Sequence, residues 1–212
     1  MATTLATLRT ALSKRLRLSM SGDALLDSVA LNECLNLGSK DLSDEHHWPW
    51  LLTSATVTFT AGIAPFPATP VVRNIRELVI NGRRARRASS LAEFLDVSAD
   101  GSKNVWFESG QTVTLAPVPA VTIITTATLH YLQVETTLLT DLNTPLLPDQ
   151  HIPTLIARAA YHANVRRANY EAATQDQGEY MEHVKKMKTS YPTRSGPRQI
   201  RPSGVTPWAV WG

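Results

Sequence analysis

Residues 71–87 read VVRNIRELVINGRRARR. Residues 71–80 are rich in Val and Ile and predict a strand. Asn81-Gly82 follows. Both residues tolerate positive φ, so the pair predicts a tight hairpin turn. Arg83, Arg84, Arg86 and Arg87 then crowd the stretch at or just beyond the hairpin tip. A hairpin here places a sheet in the middle of the chain, and the flanks are read from where its period of two gives way.

Upstream, Val57 and Phe59 alternate with Thr56, Thr58 and Thr60, which predicts another strand. Ala61-Gly62, with Pro65, Pro67 and Pro70, predicts a loop. Downstream, residues 90–94 predict a short helical turn. Residues 104–107 and 111–115 flank Glu108-Ser109-Gly110 as a second hairpin, closed by Ala116-Pro117-Val118-Pro119. Residues 121–134 alternate for long enough to predict the longest strand. The span 54–137 is therefore expected to be an antiparallel β module.

Helical periodicity lies on both sides. Leu5, Leu8, Leu12 and Leu16 recur at three- and four-residue steps, the stripe of an amphipathic helix. Ser21 or Asp23 is the expected cap of a second helix, which should run to about His46 and stop at Trp48-Pro49-Trp50. Pro153 suits a first helical turn. The helix it opens should extend through Met187, weakened at Gly178. Pro192, Pro197, Pro202 and Pro207 then exclude helix. The expected fold class is α+β. A helical bundle is formed by residues 1–53 and completed by a loop and long C-terminal helix at 138–190. The antiparallel module is inserted in it, and residues 191–212 form an extended C-terminal arm.

Composition narrows the function. The 212 residues carry 21 Lys plus Arg against 18 Asp plus Glu, for a net charge of +3, and 43% are hydrophobic. Such a chain buries a sizeable core and is not disordered throughout. No run of about 18 apolar residues predicts a membrane span, and the start lacks the apolar block of a secretory signal. Cys34 is the only cysteine, which excludes a disulfide framework within one chain and predicts a reducing compartment.

The charge is unevenly placed. Six arginines between Arg73 and Arg87 meet one acid, Glu77, and no acid follows Glu182. The cluster Arg83, Arg84, Arg86 and Arg87 admits three readings: a solvated hairpin end, a phosphate contact, or a dock for an acidic protein surface. In the arm, the candidate contacts are Tyr191, Arg194, Arg198, Ile200, Arg201, Trp208, Val210 and Trp211. The two tryptophans are the kind of aromatic anchor that interface hot spots use.

Catalytic signals are missing. His46 and His47 are adjacent and would point in different directions on a helix, a poor chelating pair. There is no nucleophile elbow, phosphate loop or dinucleotide fingerprint. Cys34 reads as a small buried hydrophobe. No catalytic residue, cofactor or metal is expected, and the chain is read as no enzyme.

The order of elements resembles the head-to-tail adaptor (connector) proteins of tailed double-stranded DNA bacteriophages. A Leu/Arg helix comes first, then a Ser-Gly-Asp cap. Asn32 and Asn36-Leu37-Gly38 lead to Trp48-Pro49-Trp50. A Thr-rich strand, the Asn81-Gly82 hairpin, Trp106 before the Gly110 turn and Leu115-Ala116-Pro117-Val118-Pro119 follow. Tyr131, Asp141, Pro145-Leu146-Leu147-Pro148-Asp149 and an Ala-rich helix complete the set. The resemblance covers about residues 1–190.

It implies a structural virion protein at the head–tail interface, made in the host cytoplasm. Twelve copies would form a ring joining the portal to the tail, stopper or tail terminator, with DNA passing through the lumen without sequence specificity. It also implies that the C-terminal segment extends to the portal. Basic residues lining such a lumen would hold DNA too tightly for rapid passage, so an acidic protein surface is the first choice for the arginines. The alternative function is a nucleic-acid-binding module that uses the Arg-rich hairpin region.

Overall fold

The computed structural model describes residues 3–17, 25–100, 104–117 and 125–192. Helix α1 (Leu5–Arg15) starts where the Thr7 hydroxyl accepts the Thr4 N–H at 2.8 Å. Its leucine stripe is as expected: Leu5, Leu8 and Leu12 are wholly buried, each contributing about 1.5–3 kcal/mol through the apolar area removed from water. Helix α2 (Ser28–Asp44) is capped by Asp27, whose carboxylate accepts the Ala30 N–H at 2.7 Å. The expected caps, Ser21 and Asp23, lie outside the described residues.

Among the described residues seven strands form one sheet: β1 (Leu52–Phe59), β2 (Ile63–Pro65), β3 (Val72–Ile80), β4 (Arg83–Arg87), β5 (Val105–Ser109), β6 (Thr112–Ala116) and β7 (Thr125–Gln133). Their order is β1-β7-β3-β4-β5-β6-β2. The two outermost strands are consecutive in the chain. Thr60 and Ile63 exchange backbone hydrogen bonds at 2.9 and 3.1 Å across Ala61-Gly62, both at positive φ. What reads as a loop is thus a two-residue hairpin turn, and it draws the sheet into a nearly closed barrel. Phe59, Ile75, Leu78, Trp106, Leu129 and Tyr131 fill the interior.

This corrects the expected fold class. The sheet is not a small antiparallel module inserted in a helical bundle. It is a mixed, barrel-like sheet that organises the chain. Its one parallel pair, β4 with β5, arises because residues 90–94 are not a short turn but the start of a ten-residue helix, α3 (Leu91–Asp100). A helix crossing between two strands returns the chain in the same direction. Asn81-Gly82 does turn β3 into β4, with both residues at positive φ.

The long C-terminal helix is also corrected. It is two helices, α4 (Ile152–Arg166) and α5 (Tyr170–Ser190). Ala168 sits at φ 56°, and the Asn169 side chain accepts the Ala172 N–H to start α5. Gly178, the expected weak point, stays inside α5.

Helices α1, α2, α4 and α5 share a second core that includes Trp48, Leu51 and Leu132 and lies beside the barrel. Helix α4 lies between α2 and α5. Gly38 makes its contact with α2 close: a Cβ there would lie 3.0 Å from the Ala159 nitrogen and 3.4 Å from its Cα. Both atoms are backbone and cannot swing aside. Gly38→Leu should gain about 1 kcal/mol of helix propensity and lose about 3 kcal/mol to overpacking. A net loss near 2 kcal/mol in urea unfolding is expected, and a gain would show that the helices separate freely.

Candidate functional site

The described chain ends in a well-packed place. The Tyr191 ring meets Trp48 and Trp50 edge-on, with centroids 6.4 and 5.5 Å away. Its hydroxyl accepts from Gln150 Nε2 at 2.9 Å and lies 3.2 Å from His151 Nε2. Its carbonyl accepts from His46 Nε2 at 2.7 Å. A carbonyl can only accept, so that nitrogen carries the proton. Burial pushes the His151 imidazole below its ordinary pKa and favours the neutral ring. Behind Tyr191, the wholly buried Trp48 stacks on Trp50 at 4.9 Å and donates its indole N–H to the Leu42 carbonyl at 2.6 Å. The end of the described chain is therefore held by residues from the end of α2, the turn at Pro49–Leu51 and the turn at Asp149–His151.

Arg83, Arg84, Arg86 and Arg87 occupy β4, all exposed, with Ala85 the one buried position. Three of the four are already paired. Arg84 meets Glu77 on β3, Arg86 meets Glu93 on α3, and Arg87 meets Glu108 on β5 at 2.8 Å while lying over the Trp106 ring. Hydrogen bonds from Ser89, with the charge of Arg86, hold the Glu93 carboxyl below its ordinary pKa. Arg83 has no carboxylate partner among the described residues.

Pro192, the last described residue, borders a hollow of about 690 Å³ that Arg76, Glu77, Arg84 and His130 also line. Of the arm's candidate contacts only Tyr191 can be placed. Arg194, Arg198, Ile200, Arg201, Trp208, Val210 and Trp211 lie outside the described residues.

Sequence reasoning missed the residues that hold these surfaces in place. Asp41 on α2 accepts from Arg158 Nε at 2.7 Å and from His162 Nε2 at 2.8 Å, both on α4. Burial pushes the Asp41 carboxyl up, but these hydrogen bonds and the Arg158 charge outweigh it and leave the pKa below the usual 3.8. A lowered folded pKa means that the pairing stabilises the chain above the unfolded value and is lost as pH falls through the folded one. Asp41→Asn should therefore flatten the loss of stability below about pH 4, measured as urea midpoint against pH. An unchanged acid limb would remove Asp41 from that role. The spacing Arg158 to His162, one helical turn, is the only sequence signal for this cluster.

Cys34 is buried, and burial raises its thiol pKa. Among the described residues no group of three or more His, Cys, Asp or Glu is placed to hold a metal ion. Nor does any described helix have the length and apolarity to cross a membrane.

A search among curated proteins finds no match. The family model described as SU10 adaptor protein matches residues 3–202, which takes in both cores, the basic strand and the segment on either side of Tyr191. With the match running over nearly the whole chain, this protein belongs to the SU10 adaptor family, a family of phage head-to-tail adaptors.

Proposed function

We propose that copies of this chain, twelve by analogy with the adaptors it resembles, form a ring that joins the portal to the tail and lets DNA pass without sequence-specific contact. Residues 191–212 are the arm that reaches the portal or a neighbouring subunit. The protein is made in the host cytoplasm and carried in the virion at the head–tail interface. Its role is structural rather than catalytic.

The observation that carries this reading is the extent of the family match, which runs ten residues beyond Pro192 and so includes the first half of the arm. The packing of Tyr191 supports it, because a fixed root gives a long segment a defined direction of departure. The pairing of Arg84, Arg86 and Arg87 with glutamates favours a protein surface over nucleic acid for the basic strand, since little charge remains to displace counterions from phosphate.

Removal of residues 193–212, which spares Tyr191 and its partners, tests the arm. The shortened protein should fold with an unchanged unfolding midpoint and fail to join tails to portal-bearing capsids. Normal joining by the shortened protein would defeat the reading.

A further inference from the structure

The helical layer has two outward edges. Helix α4 is packed between α2 and α5, so the free faces of α2 and α5 lie on different sides of it. On the α2 edge, Leu37 and Val134, 48% and 45% exposed, line a groove of about 730 Å³ between the helix and residues 134–137. Glu135 lies in that groove half-buried. Its carboxylate accepts the Leu146 N–H at 2.9 Å and meets no cation among the described residues. Burial holds it above the ordinary carboxylate range, as expected of an acid without a cation.

On the α5 edge, Met181 is half exposed beside Lys185, over a hollow of about 610 Å³. Lys186 and Lys188 are paired, with Glu182 and Glu45. The Lys185 ammonium has no carboxylate partner among the described residues.

We propose that the α5 face of one copy packs into the α2 groove of the next, with Met181 against Leu37 and Val134 and Lys185 opposite Glu135. The two faces are complementary: on one, Leu37 and Val134 lie beside an acid without a cation, the groove's own Lys40 and Arg73 both being held by Asp44; on the other, a methionine lies beside an ammonium without a carboxylate. They lie on different edges of one layer, so they cannot meet within a single copy. A contact between two different patches repeats in one direction and closes when the rotation per copy divides the circle. The assignment rests on the ring reading above and adds which surfaces make the ring.

A photo-reactive benzophenone side chain at position 37 tests it, in the full-length chain assembled on portal-bearing capsids. The expected product is a dimer-sized band whose cross-linked peptide is the one around Met181. Capture of residues 193–212 or of portal protein at that position would overturn the assignment.

Charge exchange gives an independent reading. Glu135→Lys and Lys185→Glu should each lower the assembled fraction about tenfold, and the double variant should return it to within about twofold of the original. Single reversals without effect, or a double variant as poor as either single, would sink the pairing while leaving the ring itself standing. If the unmodified chain occupies such capsids as one copy only, the ring reading falls and the interface with it.

Discussion

Trp48→Ala should destabilise the protein by about 4 kcal/mol, the middle of the range for removing a buried tryptophan. The ring is wholly buried, so the substitution opens a cavity that its neighbours cannot fill by side-chain motion alone. It also strands the Leu42 carbonyl, which accepts the indole N–H at the end of α2. Trp50 would lose its stacking partner and Tyr191 one of its two tryptophan contacts. The consequence goes past stability, since Tyr191, where the proposed arm would begin, rests on this cluster. Amide exchange at Tyr191 should rise together with the fall in urea midpoint. Trp50→Ala, on a ring only partly buried, should cost less than half as much. Comparable losses from the two substitutions, or a loss under about 1 kcal/mol from Trp48→Ala, would mean that the cluster does not anchor this end of the chain.

Asp176→Ala is the second large effect, at about 3 kcal/mol. Asp176 is 7% exposed and ties three helices together. It accepts from Arg15 on α1 at 3.0 and 2.6 Å and from Asn164 on α4 at 2.7 Å. Alanine would leave the Asn164 amide buried without its acceptor, and a donor stranded in that way carries its full desolvation cost. Arg15 would keep Glu179, 2.6 Å away and more exposed, which softens the loss on that side. Asp176→Asn preserves volume but presents an amide where two donors converge, so it should recover only part of the stability. If asparagine proves as stable as the original, charge is irrelevant to this junction and the contact is one of shape.

Both residues lie at junctions between elements, and junctions are what the sequence exposed least. The Leu5, Leu8 and Leu12 stripe and the Asn81-Gly82 turn are local signals, and the structure follows them. The closure of the barrel is not local. Ala61 stands where glycine or asparagine would have advertised a hairpin, and the pairing it permits depends on β6 and β7 from much later in the chain.

The break between α4 and α5 falls at Ala168, although alanine is the strongest helix former. Propensity therefore points the wrong way, and only Asn169, a good N-cap, marks the spot. Gly178 misleads in the opposite sense. It faces open space within α5, where its cost is modest.

The arginines show the same limit from the side of charge. Their number is plain in the sequence, but their glutamate partners come from β3, α3 and β5. What reads as a concentrated positive patch is largely compensated by the fold. The packing of Tyr191 is equally hidden, because His46, Trp50 and Gln150 come to it from separate turns.

The hairpin at Ala61-Gly62 also bears on how copies of this chain avoid pairing by their strand edges. A flat seven-stranded sheet would end in two rows of unsatisfied amide and carbonyl groups, on which a second chain can add a strand, then a third. Curling the sheet until its first two strands meet leaves less of that edge for a newcomer to copy. A chain with less open edge is thereby steered away from open-ended fibres. The ring interface proposed above would use helix faces in place of strand edges.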